Sequence, residues 1–158
     1  MVFFLLGEKL QGSRDCGLCF FRQEGGCKLE ICTNEERGIM RYNSVLDLHT
    51  HTVASGHAYC SLREMAKAAS EKGLEVLGIT EHAPMMPGTC HKYYFDNLKV
   101  VPREMYGIQL LLGSEVNILD AQGSVDLSER TLSKMDVVVA SLHIPCMKPA
   151  SKLENTEG

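Results

Sequence analysis

The sequence predicts an α/β fold built on a parallel sheet or barrel. Three observations predict it. Short apolar runs alternate with helical patterns from Met40 onward. The run "DVVVASLH" at 136–143 is continuously apolar, as a strand covered on both faces is. In four successive runs the polar residues gather at the C-terminal end, where parallel α/β folds collect their ligands and catalytic groups.

Taken in order, "VLDL" (45–48) reads as a buried strand. "SLREMAKAASEKG" (61–73) reads as a helix. Ser61 and Glu64 form a capping box, Leu62, Met65, Ala66 and Ala69 make one apolar stripe, and Gly73 ends it. "LEVLGIT" (74–80) is a second strand, and "IQLLLGSEVNI" (108–118) holds a third. Residues 127–135 suit a short helix with Asp126 as a candidate N-cap. Residues 136–143 are the fourth strand.

Composition narrows the function. The chain has 158 residues, 44% hydrophobic and 23% charged, enough for one domain with a modest core. Its formal net charge is −4 with no Lys/Arg-rich run, which argues against a nucleic-acid partner. The apolar runs are too short to span a bilayer. The start "MVFFLLGEKLQG" lacks the basic segment of a signal peptide. Seven cysteines, an odd number set beside candidate metal ligands, suit a reducing cytoplasm better than a disulfide framework.

Residues 1–39 differ in character, and Met40 reads as the boundary and a natural start for the domain at 40–158. Cys16, Cys19, Cys27 and Cys32 give C-x2-C-x7-C-x4-C, a loose match to a structural zinc site. The stretch shows no strand pattern. It reads as a poorly ordered extension or as upstream sequence from an early start codon.

The chemistry concentrates in "SVLDLHTHTVASGHAYCS" (44–61), which holds His49, His51 and His57. Residues two apart on a strand share a face, so His49 and His51 aim at one point with Asp47 beside them. Neutral imidazole is a good ligand for zinc and similar ions, and a carboxylate such as Asp47 can orient a ligating ring through its second N–H. The later strands end in Glu81 and His82, in Glu115 and Asn117, and in Ser141 and His143. A lone H-x-H arises by chance, a lone His82 can cap a turn, and a lone Glu115 is more often a solvated charge. Their joint placement past buried strands points to a metal site. Several histidines with a carboxylate that can bridge suit a multinuclear hydrolytic centre, with no catalytic residue separate from the ligands.

"DLHTHTVASGHAY", "ITEHAPMMPG", "LLGSEVNI" and "ASLHIP" resemble, in order and spacing, successive motifs of the PHP (polymerase and histidinol phosphatase) domain. The nearest likeness is to the small bacterial PHP-domain phosphatases. The resemblance implies that the chain is the N-terminal half of a distorted (β/α)7 barrel. It implies a hydrolase acting on small phosphorylated substrates, with up to three metal ions, usually zinc, with manganese or iron as alternatives. It implies His49, His51, His57, His82, Glu115 and His143 as metal ligands. Glu81 stands where the family usually has aspartate, and His91 falls where relatives carry further histidines, with substrate contact and a surface role as alternative readings. Family members continue past the point where "KPASKLENTEG" ends this sequence and supply further ligands from a later H-P motif and a D-x-H motif. The expectation is a half-barrel whose last strand has an open edge, with weak or absent activity alone. A catalytically incomplete fragment and a non-enzymatic metal-binding or structural module are the competing readings.

Overall fold

A computed structural model describes the backbone of residues 2–6, together with residues 44–148, 151 and 153. The cysteine set at 16–32 and the boundary at Met40 lie outside the described residues. The elements run β1 (Val2–Leu6), β2 (Leu46–Thr50), a 3-10 turn (Val53–Ser55), α1 (Leu62–Glu71), β3 (Val76–His82), α2 (Lys92–Asn97), a second 3-10 turn (Leu98–Val100), β4 (Glu104–Met105), β5 (Ile108–Asn117), α3 (Glu129–Leu132) and β6 (Val137–Ser141).

The sheet order is β1-β6-β5-β3-β2, with β4 paired to the start of β5. The four strands predicted from sequence are β2, β3, β5 and β6, and they lie parallel to one another. The sheet is curled, with β3 and β5 at its centre. Leu77, Ile79, Leu110, Leu112, Val137 and Val139 are almost completely buried, and β3 is buried from Leu77 through His82. That two-sided burial is why β3, β5 and β6 read as continuous apolar runs rather than as alternations. β2, expected as a buried strand, instead ends the sheet, with Val45 and Leu46 exposed. Helix α1 lays Ala66 and Ala69 into this core. Its capping box is formed as predicted, with Ser61 Oγ accepting from the Glu64 amide and Glu64 Oε2 accepting from the Ser61 amide.

Three elements differ from the sequence reading. Val2–Leu6 pairs antiparallel with β6, from Val2 opposite Ser141 to Leu6 opposite Val137. The open edge predicted for the last strand is therefore paired here, by a segment that reads in the sequence as part of an extension without strand pattern. Helix α3 is shorter than 127–135 and is capped by Ser128, whose Oγ accepts from the Thr131 amide. Asp126 cannot cap it, because its carboxylate already accepts from the amides of Met85 and Asn117 and from Asn117 Nδ2. Helix α2 was not predicted: its six residues are too few to show a period. Among the described residues no helix is long and apolar enough to cross a membrane.

A bulge in β2 shapes the site. Asp47 pairs with Leu77 and Thr50 with Ile79, so Leu48 and His49 together oppose Gly78. A Cβ at Gly78 would stand 2.7 Å from the Leu48 backbone, and only glycine admits that approach. Thr50 Oγ1 donates to the Gly78 carbonyl at 2.6 Å across the irregularity.

Candidate metal centre

The C-terminal ends of β2, β3, β5 and β6 bring His49, His51, His57, His82, Glu115 and His143 together. Parallel register does most of this: His82 on β3 lies opposite Glu115 on β5, and Asn117 lies opposite Ser141, two residues before His143. His57 arrives by a tight turn after β2. Gly56 ends that turn with φ +77°, and a Cβ there would stand 2.1 Å from the Gly88 carbonyl oxygen. Glycine thus allows the loop after β2 to dock on the loop after β3.

Glu115 is the hub. Its Oε2 lies 2.8 Å from His82 Nδ1, 3.2 Å from His49 Nε2 and 3.3 Å from His51 Nε2, and its Oε1 lies 3.5 Å from His143 Nε2. The five imidazoles form a contiguous cluster, from His51 stacked on His82 at 4.3 Å between centroids to His51 and His57 at 5.2 Å. Burial alone would raise the Glu115 carboxyl's pKa, but the rings of His49, His51 and His82 hold it far below the usual carboxylate range. Burial lowers the pKa of His143, and the charges of the neighbouring rings lower it further against the pull of Glu115. A ring kept neutral in this way has a lone pair to offer.

The donor set fits a metal. His82 Nδ1 and Glu115 Oε2 are both buried, yet among the described residues neither has a partner in hydrogen-bond geometry despite their 2.8 Å approach. Buried polar atoms are normally paired, so a ring nitrogen and a carboxylate oxygen that face each other without a hydrogen bond suit a shared cation. Three overlapping sets place one ligand atom per residue within 4.8 Å of each other: His51, His57 and His82; His49, His51 and Glu115; and His82, Glu115 and His143.

The outer residues separate. Asn117 is fully buried and its Oδ1 lies 2.7 Å from His143 Nδ1. Its Nδ2 donates to Asp126 Oδ2 at 2.6 Å and to the Ala83 carbonyl at 3.3 Å, which fixes Oδ1 as the atom facing the ring. Glu81 is fully buried behind the cluster, accepting from the amide and hydroxyl of Thr52 and from Ser55 Oγ. Asp47 is exposed, and its Oδ1 accepts from the backbone amide of His49 at 3.2 Å. The bulge at Leu48–His49 interrupts the alternation on which a shared face for Asp47 was expected. His91 is not in the cluster: it is exposed and caps α2, its Nδ1 accepting from the Tyr93 amide at 3.2 Å. The sequence reading passed over Thr52, Ser55 and the structural part of Asp126. Their signal was the spacing of small hydroxyl residues inside "HTHTVAS", which has meaning only against Glu81.

The model of the PHP domain matches residues 47–157, which covers every strand-end residue described above. The chain belongs to the PHP family. The curled parallel sheet is accordingly part of a (β/α) PHP barrel, as the motifs predicted. Bacterial relatives carry the name "probable phosphatase". One from Clostridium novyi is 56% identical over 117 residues, 74% of this chain and 47% of the relative. One from Caldanaerobacter subterraneus is 50% identical over 118 residues, 75% of this chain and 46% of the relative. One from Acetivibrio thermocellus is 48% identical over 113 residues, 72% of this chain and 47% of the relative. This PHP chain spans about half the length of the curated relatives it matches.

Proposed function

We propose that this PHP chain carries the first part of a metal-dependent phosphoesterase site acting on small phosphomonoesters in a reducing cytoplasm. The observation that carries it is the cluster of five histidines around the buried Glu115, with unpaired ligand atoms at its centre. The names of the relatives support a phosphorylated substrate. The described cysteines, Cys60, Cys90 and Cys146, are free thiols, which is compatible with a reducing compartment.

His49, His51, His57, His82, Glu115 and His143 would hold the metal. Each imidazole offers one nitrogen toward the cluster and Glu115 offers two oxygens, so the described residues suffice for two ions at three or four protein ligands each. A third ion needs donors from elsewhere. Imidazole with carboxylate suits zinc, and manganese or iron are also compatible. Bound metals of this kind make water nucleophilic at neutral pH and neutralise phosphoryl oxygens. The residues of this chain supply the rest. Glu115 spans the ligand sets with its two oxygens, Asn117 holds the His143 ring with Nε2 turned inward, and Glu81 pins the loop that carries His57.

The test is metal content and phosphate release on the full chain purified without chelator. Two metals per chain, with metal-dependent release from p-nitrophenyl phosphate that His51→Ala abolishes, is the expected result for a competent site. Because the chain spans 46–47% of these relatives, a second reading is specific: metal bound without turnover identifies a metal-holding module. A folded chain that takes up no zinc, manganese or iron overturns both.

A further inference from the structure

Ser55 is 1% exposed and sits one residue before the left-handed Gly56, in the turn that follows β2. Its hydroxyl oxygen meets three groups, two at the end of β3 and one just past β2. It lies 2.5 Å from Glu81 Oε2, 3.0 Å from the His82 backbone nitrogen and 3.0 Å from His51 Nδ1. A serine hydroxyl has one proton to give and two lone pairs to fill. The backbone amide of His82 can only donate, so it takes one lone pair. A carboxylate accepts, and the Thr52 amide and hydroxyl also donate to Glu81. The short contact to Glu81 is therefore where the Ser55 proton goes, as a charge-assisted bond. What remains for His51 is the second lone pair of Ser55, and only an N–H can use it.

The geometry points to Ser55 as the positioning residue that fixes the tautomer of His51. We propose that Ser55, held by Glu81, makes His51 carry a proton on Nδ1, so that Nε2 is the nitrogen left for a metal beside Glu115. His51 Nε2 is the atom that lies 3.3 Å from Glu115 Oε2. His51 belongs to two of the three ligand sets, so its orientation bears on both. The same hydroxyl anchors the backbone of His82, another ligand, and so ties the ends of β2 and β3 together at the site. This inference rests on the reading of the cluster as a metal site, but it does not depend on phosphoester hydrolysis.

The test is nitrogen-15 NMR of the imidazole rings in the metal-free full chain at pH 8, with His51 assigned by comparison with His51→Gln. The expected result is a proton on Nδ1 in the wild type, whether or not Nε2, which faces Glu115, is also protonated in the absence of metal. Ser55→Ala should shift His51 toward the opposite tautomer. It should also weaken zinc binding by about 10–100-fold, the range for loss of an outer-shell partner. A wild-type His51 that carries no proton on Nδ1 overturns the proposal, and that measurement needs no variant to fold. A folded Ser55→Ala chain whose tautomer is unchanged, or whose zinc affinity falls less than threefold, also overturns it. Failure of wild type to bind zinc counts against the proposed function, and the tautomer then decides the role of Ser55 alone.

Discussion

Glu115 Oε2 and His82 Nδ1 stand 2.8 Å apart, both buried, in a geometry that is not a hydrogen bond. The approach of an acceptor to a nitrogen lone pair is unfavourable unless something positive lies between or beside them. Glu115→Gln keeps the shape and removes the charge that several ligand sets share. Metal content by elemental analysis should fall from about two per chain to less than one, and the metal-free protein should stay folded by circular dichroism.

Asn117 acts on the site through His143. Its Nδ2 is committed to Asp126 and Ala83, so only Oδ1 can receive the His143 Nδ1–H. Asn117→Ala should weaken metal binding by about 10–100-fold in a calorimetric titration. Asn117→Asp keeps an acceptor for His143 but sets a second carboxylate oxygen against Asp126 and the Ala83 carbonyl, so it should not recover the loss.

The turn at Gly56 is closed to any side chain. A positive φ and a Gly88 carbonyl at 2.1 Å from a virtual Cβ act together. Gly56→Ala should destabilise the chain by more than about 1 kcal/mol in urea denaturation. It should also displace His57 and reduce metal affinity, whereas Gly73→Ala, strained but with open space around it, should leave the metal site intact.

The core predicts an ordinary packing penalty. Leu112 is fully buried at the centre of β5. Leu112→Ala should cost about 2–5 kcal/mol of folding stability, read from the shift in denaturation midpoint.

Acid should act on the metal-free fold through His143. Its pKa lies below the ordinary 6.5, chiefly because of burial. The unfolded chain therefore takes up this proton before the folded chain does, and stability falls as pH drops through 6.5, levelling once the folded ring is also protonated. Thermal melting between pH 8 and pH 5 should show this loss, and His143→Gln should show less of it.

Much of the scaffold was legible because its signals are local. The capping box of Ser61 and Glu64, the glycine stop at Gly73 and the apolar run of β6 are each written within a few residues of the feature they specify. The ligands were legible because a recurring motif order places each at a strand end. What was hidden lies in partners far apart in sequence. Asp126 reads as a helix cap from its neighbours, but Met85 and Asn117 claim its carboxylate. Ser55 has no meaning until Glu81, 26 residues later, takes its proton. Asp47 was placed by an alternation rule that holds only in a regular strand, and the bulge opposite Gly78 breaks it. The edge pairing of Val2–Leu6 joins opposite ends of the chain, and no window of sequence contains both.

Asp126 sets how the rim of this site moves. One carboxylate receives the amide of Met85 from the loop after β3, the amide of Asn117 from β5, and the side-chain amide that steers His143. Each segment that opens takes a donor from the same carboxylate and weakens the hold on the others, so their fluctuations are coupled. Hydrogen exchange at Met85 and Asn117 should accordingly proceed at matched protection, and the two amides should part company once the carboxylate is replaced by an alanine methyl. The time for which His143 stays aimed at Glu115 is then governed by a residue that touches neither.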